Sequence, residues 1–379
     1  MEAGLGLGSI WNGGLMYIIP FLFVLTIIVF FHELGHYLVG RWCGIRSLAF
    51  SVGFGPEIVG FTDRQGTRWK LSAIPLGGYV KFLGDENAAS VPDRSAVARM
   101  SEKEAREAFP TASVGRRAAT VAAGPIANFI LAIAIFAGVA YVQGRPVADP
   151  IVSEVVEGSP AEEAGFEAGD RVLATDGQPV TYFSDLQKYV TARPDQPIVV
   201  TVERDGKPIE LTVTPRTEER DDGFGKTFNV PVVGIVARGT ESSFRVEELG
   251  PVESLRYGVE QTWFVTERTV NFIGEVFTGR QNADQIGGPI RIAQVSGEVS
   301  TLGLGALLNL AALLSVSIGL LNLMPVPMLD GGHLLFYAFE AVRGRPLSEQ
   351  VQEVGFKIGL ALVMMLMVFA FWNDISGLV

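Results

Sequence analysis

The sequence predicts an α-helical membrane protein: four transmembrane helices, a membrane-associated β-hairpin and one α+β domain outside the cytoplasm. Three observations support this fold class. Of the 379 residues, 48% are hydrophobic and the mean hydropathy is +0.31, which is high for a soluble protein. Four apolar runs approach the roughly 20 residues that cross a bilayer. A long acidic segment separates the second run from the third, as expected of a solvated domain.

The four apolar runs are Gly14 to Phe31, Ala118 to Gly144, Leu302 to Leu329 and Ile358 to Trp372. No Lys or Arg precedes Arg41, whereas a secretory signal peptide begins with positive charge. We therefore expect the first run to be retained as an anchor. The fourth run is the shortest and could instead be a buried helix, but a membrane span is the preferred interpretation.

The charges between the runs predict the orientation. Residues 41–117 hold 12 Lys/Arg against 8 Asp/Glu, whereas residues 143–303 hold 15 against 26. Basic loops stay in the cytoplasm, so we expect the N-terminus, the acidic segment and the C-terminus outside it. No basic patch with interleaved aromatic residues occurs, so no nucleic-acid partner is expected. The single cysteine, Cys43, excludes a disulfide within the chain and a cysteine-based metal cluster.

The first run leads into FFHELGHYLVG, residues 30–40. On a helix, residues four apart lie on one face, so His32 and His36 can share one metal ion with Glu33 beside them. In an H-E-x-x-H motif the histidines bind zinc and the glutamate acts as general base on water. Chance polarity at a helix end is the alternative. However, an ionisable group at membrane depth costs at least about 2.5 kcal/mol and is functional by default, so we expect a metal site.

Residues 47–82 predict a β-hairpin in the first cytoplasmic loop. The stretches SLAFSVGFG, EIVGFT, TRWKLSAI and GGYVKF alternate as strands do, around the turn DRQG. Their apolar content is high for a soluble hairpin, so we expect it to lie against the membrane helices. An exposed edge strand could hold an extended substrate by β-augmentation; a purely structural hairpin is the alternative.

The acidic segment contains DPIVSEVVEGSPAEEAGFEAGDRVLATDGQPVTYFSDLQKYV, residues 149–190, and IVVTVERDGKPIELTVTP, residues 198–215, which together resemble one PDZ domain. The pattern indicates a short helix, a strand and turn, and a hairpin closed on Asp205 and Gly206. Such a domain either binds peptide as an added strand or only filters substrates by size. The following 70 or so residues leave little room for a second PDZ domain, and residues 252–278 predict an amphipathic helix.

The third run ends in NLMPVPMLDGGH, residues 322–333, which holds the last of the three histidines. The first and third runs cross the membrane in the same direction, so their C-terminal ends should meet near the cytoplasmic face. A tetrahedral catalytic zinc needs a third protein ligand. Asp330 and His333 are both suitable, and spacing alone does not separate them.

The motifs HELGH, GPIANF (residues 124–129) and NLMPVPMLDGGH, in this order, resemble the site-2 protease family of intramembrane zinc metalloproteases. The similarity is greatest to the bacterial RseP-like branch, here with a single PDZ domain. The resemblance implies that His32, His36 and Asp330 bind Zn²⁺ and that Glu33 is the catalytic base.

The resemblance also implies that Asn322, and less directly Asn128, contact the substrate backbone. For Asn128, a hydrogen bond between helices is an equal alternative. Pro325 and Pro327 belong to the same substrate-binding stretch as Asn322. They break helical regularity, which is tolerated in a membrane where the freed backbone groups face protein or a water-filled cavity.

We divide the chain into four parts: residues 1–147 (the first two spans and the hairpin), 148–216 (the PDZ domain), 217–300 (an extracytoplasmic linker with the amphipathic helix) and 301–379 (the last two spans). The resemblance implies an intramembrane zinc endopeptidase of the bacterial inner membrane. Its expected substrates are single-span membrane proteins, such as anti-sigma factors or remnant signal peptides, trimmed beforehand by another protease outside. The lipid bilayer is the other expected partner.

Two other functions remain open. The chain could be a PDZ-bearing membrane scaffold with a vestigial metal site, but an intact Glu33 argues against it because a dead enzyme does not need the base. It could also be a zinc sensor or transporter. One ion site beside a general base is more typical of hydrolysis than of transport.

Overall fold

A computed structural model describes residues 7–85, 99–221, 227–237, 245–279 and 287–376. The helices of these residues are α1 (Leu7–Trp42), α2 (Glu102–Glu107), α3 (Val114–Gln143), α4 (Pro160–Glu163), α5 (Phe183–Thr191), α6 (Pro251–Phe277), α7 (Pro289–Thr301), α8 (Leu304–Leu323), α9 (Asp330–Arg343) and α10 (Glu349–Ser376). The strands are β1 (Ser47–Thr62), β2 (Arg68–Phe82), β3 (Arg145–Val147), β4 (Val152–Val155), β5 (Arg171–Thr175), β6 (Gln178–Pro179), β7 (Ile198–Arg204), β8 (Lys207–Val213), β9 (Arg216–Asp221), β10 (Thr227–Val232), β11 (Ile235–Ala237) and β12 (Arg245–Glu247).

Among the described residues, four helices are long and apolar enough to cross a membrane, which confirms the helical membrane class. The candidate spans are Gly14–Trp42, Val114–Gln143, Leu304–Leu323 and Gln350–Ser376. α8 packs between two others: Val24 and Ile28 of α1 contact one side of it, and buried residues of α3 contact the other. The marginal fourth run is the centre of a 28-residue helix.

α1 continues well beyond the end of the first apolar run at Phe31. Its polar residues after that point are mostly covered: Glu33 is only 9% exposed, while the exposed positions include Leu38 and Trp42. A helix with its polar groups inside and apolar groups outside suits a lipid environment. The HELGH motif therefore lies within the helix, whereas the sequence places it at the end of the run.

β1 and β2 form one strongly bent antiparallel hairpin. β1 turns at Gly53 and Gly55, both with positive φ, so its first half pairs with both halves of β2. Phe50, for example, lies opposite Val80 on one side and opposite Trp69 on the other. The result is a curled sheet with the residues 77–82 at one edge, next to α1. The other edge, residues 57–62, exposes apolar side chains.

The chain between α8 and α9 is non-helical for six residues. Pro325 and Pro327 stop α8 because proline lacks the N–H and disfavours helical backbone in the residue before it. Gly331 and Gly332 then pass so close to the backbone of residues 323–326 that any side chain would collide with a carbonyl oxygen. The third span therefore ends at Leu323, six residues before the end of the predicted run, and Asp330 begins a new helix.

The residues 140–251 form most of a second compact unit, with a four-stranded sheet in the order β6-β5-β7-β8. β7 and β8 form a hairpin closed on Asp205 and Gly206, both with positive φ. β11 pairs with β4, and β12 pairs with β3. This unit extends past residue 216, where the predicted PDZ domain ends, because the later strands pair with its first strands.

The predicted linker, residues 217–300, contains two helices of the first unit and also stretches outside the described residues. α6 occupies the place of the predicted amphipathic helix, and its Gly258 packs against α3 at Ala137. α7 has no counterpart in the predictions because its sequence is short and polar. Its Gly297 packs on Tyr17 of α1, and the Asp374 carboxylate accepts hydrogen bonds from the first backbone N–H groups of the helix, at 2.7 Å from Gly288 N and 2.9 Å from Ile290 N.

Candidate metal centre

Three side chains from two helices converge at one point. His32 and His36 are one turn apart on α1, and Asp330 is the first residue of α9. The two Nε2 atoms are 3.2 Å apart, and they lie 3.2 and 3.5 Å from Asp330 Oδ2. Within the described residues, this trio is the group of His, Cys, Asp or Glu that could hold a metal ion.

The spacing of these atoms fits a zinc ion. Zinc binds imidazole nitrogen and carboxylate oxygen at about 2.0 to 2.1 Å, and tetrahedral ligands at that distance lie roughly 3.3 to 3.4 Å apart. The measured separations bracket this value. Asp330 Oδ2 is also buried without a hydrogen-bond partner in the described part of the chain, as expected of an atom that ligates a metal.

His333 lies one turn into α9 with its ring 5.4 Å from that of Phe356. The structure thus brings Asp330 to the two histidines and leaves His333 beside the site, among aromatic rings.

One face of α3 supports both imidazoles. His36 Nδ1–H donates to the backbone oxygen of Thr120 at 2.9 Å, and the amide of Asn128 is 3.2 Å from His32 Nδ1. Between these two residues, Gly124 approaches so closely that an added Cβ would lie 2.3 Å from His36 Nε2. These three residues are four apart and therefore share one helix face.

Glu33 lies between the trio and the hairpin and contacts both the cavity and the hairpin edge. Its carboxylate accepts a hydrogen bond from the backbone of Val80, and its Cγ would be 3.0 Å from a Cβ at Gly78. The edge strand of the hairpin therefore packs directly on the candidate base. A side chain at position 78 would collide with the backbone oxygen of Ser51 as well as with Val29 and Glu33.

A cavity of about 320 Å³ joins these elements. Its walls include the metal trio, Glu33, the hairpin residues 77–80 and, from α8, Asn322. Of the other predicted substrate-binding residues, Pro327 packs against Gly359 of α10 and Asn128 is fully buried beneath His32. Pro325 lies in the break after α8.

Sequence reasoning missed Thr120 and Gly124. The signal was present, because Thr120, Gly124 and Asn128 repeat every four residues in an otherwise apolar helix. Thr120 acts through its backbone carbonyl and Gly124 through the absence of a side chain, so neither residue type indicates a function in the sequence. Only the crossing of α3 over the two histidines gives them a role.

Comparison with known proteins agrees with this geometry. The family model described as peptidase family M50 matches residues 20–366. A protein of Agrobacterium fabrum, named as a zinc metalloprotease, is 58% identical over 363 residues that cover 96% of each chain. Metalloprotease MmpA of Caulobacter vibrioides is 40% identical over 386 residues, again with 96% of each chain covered.

Among solved structures, the chain is similar to a PDZ domain of an SdrC-like protein from Listeria monocytogenes, which is 17% identical; the match covers 23% of this chain and 85% of that one, with a TM-score of 0.20. The family match, in contrast, covers most of the chain and includes the trio and Glu33. The chain therefore belongs to peptidase family M50, the site-2 protease family.

Proposed function

We propose that this protein is an intramembrane zinc endopeptidase that cleaves single-span membrane proteins within or near the bilayer. The metalloprotease class and the zinc cofactor follow from its family. The observation that carries the intramembrane placement is that His32, Glu33 and His36 lie inside the apolar helix Gly14–Trp42 and meet Asp330 there. Placing ionisable groups at this depth costs free energy, so such groups usually have a functional role.

The donor set supplies the chemistry of amide hydrolysis. Zinc held by His32, His36 and Asp330 would polarise an amide carbonyl and lower the pKa of water. Glu33 lines the same cavity without belonging to the trio, so its carboxylate is available to take the proton of the attacking water. It would then return that proton to the nitrogen of the broken peptide bond.

The hairpin edge and Asn322 are suited to hold the substrate in an extended form. Residues 77–80 line the cavity and pair within the described sheet on one side only, with the first half of β1. A substrate segment can add to such an edge as a further strand. Asn322, which lines the same cavity, would hydrogen-bond the substrate backbone, and Pro325 and Pro327 would keep the following segment non-helical at the cavity.

The proposed setting is the bacterial inner membrane, with the PDZ-like unit outside the cytoplasm. The charge distribution along the chain supports this orientation. Substrates would be single-span proteins already shortened outside by another protease, and the PDZ-like unit would bind them or exclude longer ones. A membrane scaffold with a vestigial site is the second candidate, and the intact Glu33 with all three ligands speaks against it.

The test is cleavage of a panel of single-span proteins by the purified enzyme. We expect cleavage that a chelator abolishes and added zinc restores. Glu33→Gln should retain about one zinc per chain and lose about 10² to 10⁴ in rate, the usual cost of removing a general base. Glu253→Gln, in the first turn of α6, is the matched control and should cleave normally. A zinc-loaded Glu33→Gln variant with wild-type activity would contradict the mechanism.

A further inference from the structure

Asn128 occupies an unusual position for a residue expected to touch substrate. Its side chain is completely buried, and its amide is 3.2 Å from His32 Nδ1. Its backbone oxygen accepts a hydrogen bond from Ser315 at 2.9 Å, which fixes this part of α3 against α8. Asn128 therefore lies next to Nδ1 of the His32 ring, whereas Nε2 of the same ring faces His36 and Asp330. This inference rests on the proposed metal site and deepens it.

His36 shows what a ligating histidine needs. Its Nδ1–H donates to the Thr120 backbone oxygen, an atom that can only accept. The hydrogen is therefore on Nδ1, and the lone pair of Nε2 is free to face Asp330. Ligating histidines almost always have such a partner, which fixes both the tautomer and the orientation of the ring.

His32 needs the same arrangement. To ligate through Nε2, it must carry its hydrogen on Nδ1 and donate it to an acceptor. The side chain next to Nδ1 is Asn128, whose amide offers an oxygen and a nitrogen of nearly equal shape. With the nitrogen toward His32, the Oδ1 atom is buried and has no hydrogen-bond partner among the described residues. The side-chain amide of Asn128 can therefore rotate to bring Oδ1 to the His32 ring without breaking a hydrogen bond of Oδ1.

We propose that the Asn128 side-chain oxygen accepts a hydrogen bond from His32 Nδ1–H and thereby holds His32 in the zinc-binding tautomer. Asn128 is then a positioning residue, and it acts on metal affinity without touching the substrate. Together with the Thr120 carbonyl, it makes one face of α3 the acceptor surface for both ligating histidines.

The test compares one replacement that removes the hydrogen-bond acceptor with one that keeps it. Asn128→Leu has a similar size and cannot accept a hydrogen bond, so zinc affinity should fall about 10- to 100-fold, as measured by competition with a chelator. Asn128→Asp keeps an acceptor, and zinc affinity should equal or exceed that of the wild type. The conservative variant thus rescues the metal site if the accepting oxygen is what matters.

Ser315→Ala provides the matched control, because it removes the hydrogen bond to the backbone of Asn128 and leaves its side chain intact. Its zinc affinity should be unchanged. Equal zinc affinity in Asn128→Leu and the wild type would overturn the proposal. So would an equal loss in Asn128→Leu and Ser315→Ala, which would indicate loosened packing, or an Asn128→Asp variant that binds zinc as weakly as Asn128→Leu.

This result is separate from the outcome of the cleavage test. If no single-span protein is cut but zinc affinity follows the expected order, the proposed substrate class fails and the role of Asn128 stands. If cleavage depends on Glu33 but Asn128→Leu binds zinc normally and raises only the KM, Asn128 contacts substrate instead, and the inference fails alone.

Discussion

At the level of single residues, the structure distinguishes the two candidates for the third ligand by their distance from His32 and His36. The sequence spacing leaves Asp330 and His333 equivalent, and the family resemblance favours Asp330. In the structure, Asp330 Oδ2 is 3.2 Å from His32 Nε2, whereas His333 lies beside Tyr337 and Phe356. The difference arises because Asp330 opens α9 directly after the proline break.

Of two substitutions on α9, only the one at Asp330 should therefore lower the zinc content. Asp330→Asn keeps the shape but removes the anionic donor, so zinc should fall from about one per chain to a small fraction, a loss exceeding the roughly 100-fold limit of a supporting residue. His333→Ala should retain zinc and measurable cleavage. Mass spectrometry of metal in both purified proteins measures this. Zinc lost from His333→Ala and kept in Asp330→Asn would mean that three histidines form the site.

The residues around the trio were less predictable than the trio itself. H-E-x-x-H is recognisable because its chemistry requires fixed residue types at fixed spacing. For Asn128, the sequence did not separate a substrate contact from a hydrogen bond between helices. Its burial beneath His32 depends on how α1 and α3 cross, which the sequence does not show. Gly124 is required only because the imidazoles occupy the space of its missing side chain.

At the level of elements, the Asp63 carboxylate is one of the contacts that hold the hairpin against α1. Asp63, in the turn, accepts hydrogen bonds from Tyr37 OH at 3.0 Å and from Trp69 Nε1 at 3.2 Å. The backbone N–H groups of Gln65 and Thr67 donate to its other oxygen. Tyr37 follows His36 directly, so this anchor ties the hairpin to the metal-binding turn of α1.

Asp63→Asn should weaken cleavage without emptying the metal site. The lost interactions involve a charged acceptor, worth about 1.5 kcal/mol at the low end, so we expect kcat/KM to fall roughly tenfold with zinc content unchanged. Gln65→Ala is the control, since only its backbone contacts Asp63. Normal cleavage by Asp63→Asn would show that the hairpin does not need this anchor.

The pH dependence of this effect follows from the pKa of Asp63. Partial burial would raise that pKa, but the hydrogen bonds from Thr67, Trp69, Gln65 and Tyr37 lower it to about 2. A depressed carboxyl pKa stabilises the folded state at every pH above the unfolded value of about 3.9, and the contribution is lost as pH falls toward 2. The ratio of wild-type to Asp63→Asn activity should therefore stay constant from pH 5 to 8; a ratio that changes in this range would contradict this assignment.

The long helices were predictable because apolar runs of sufficient length have few other solutions. The ends of these helices were harder to predict from the sequence. α1 runs on to Trp42 because its polar residues are covered by α3, α9 and the hairpin, which the sequence alone does not reveal. The bend of β1 was also hidden, since two strand halves that pair with the same partner look like separate strands in a periodicity pattern.

At the level of the whole molecule, the charge distribution of the sequence predicts the orientation in the membrane. A topology reporter inserted after Asp195 should be active outside the cytoplasm, and one inserted at Ser95 should be active inside. The excess of Lys and Arg in residues 41–117 is the physical reason. The opposite pattern would place both metal-binding helix ends near the outer face and contradict the proposed topology.

The Asp374 cap on α7 implies an order in which parts of the molecule can assemble during synthesis. α7 is synthesised well before Asp374, 86 residues after Gly288, so its first N–H groups emerge from the ribosome without the carboxylate that later accepts them. The cap of α7, the helix whose Gly297 packs on Tyr17 of α1, can therefore form only after the last helix has been made. The helix that bears the two candidate zinc ligands, His32 and His36, thus packs on a helix whose cap is completed only in the final part of translation.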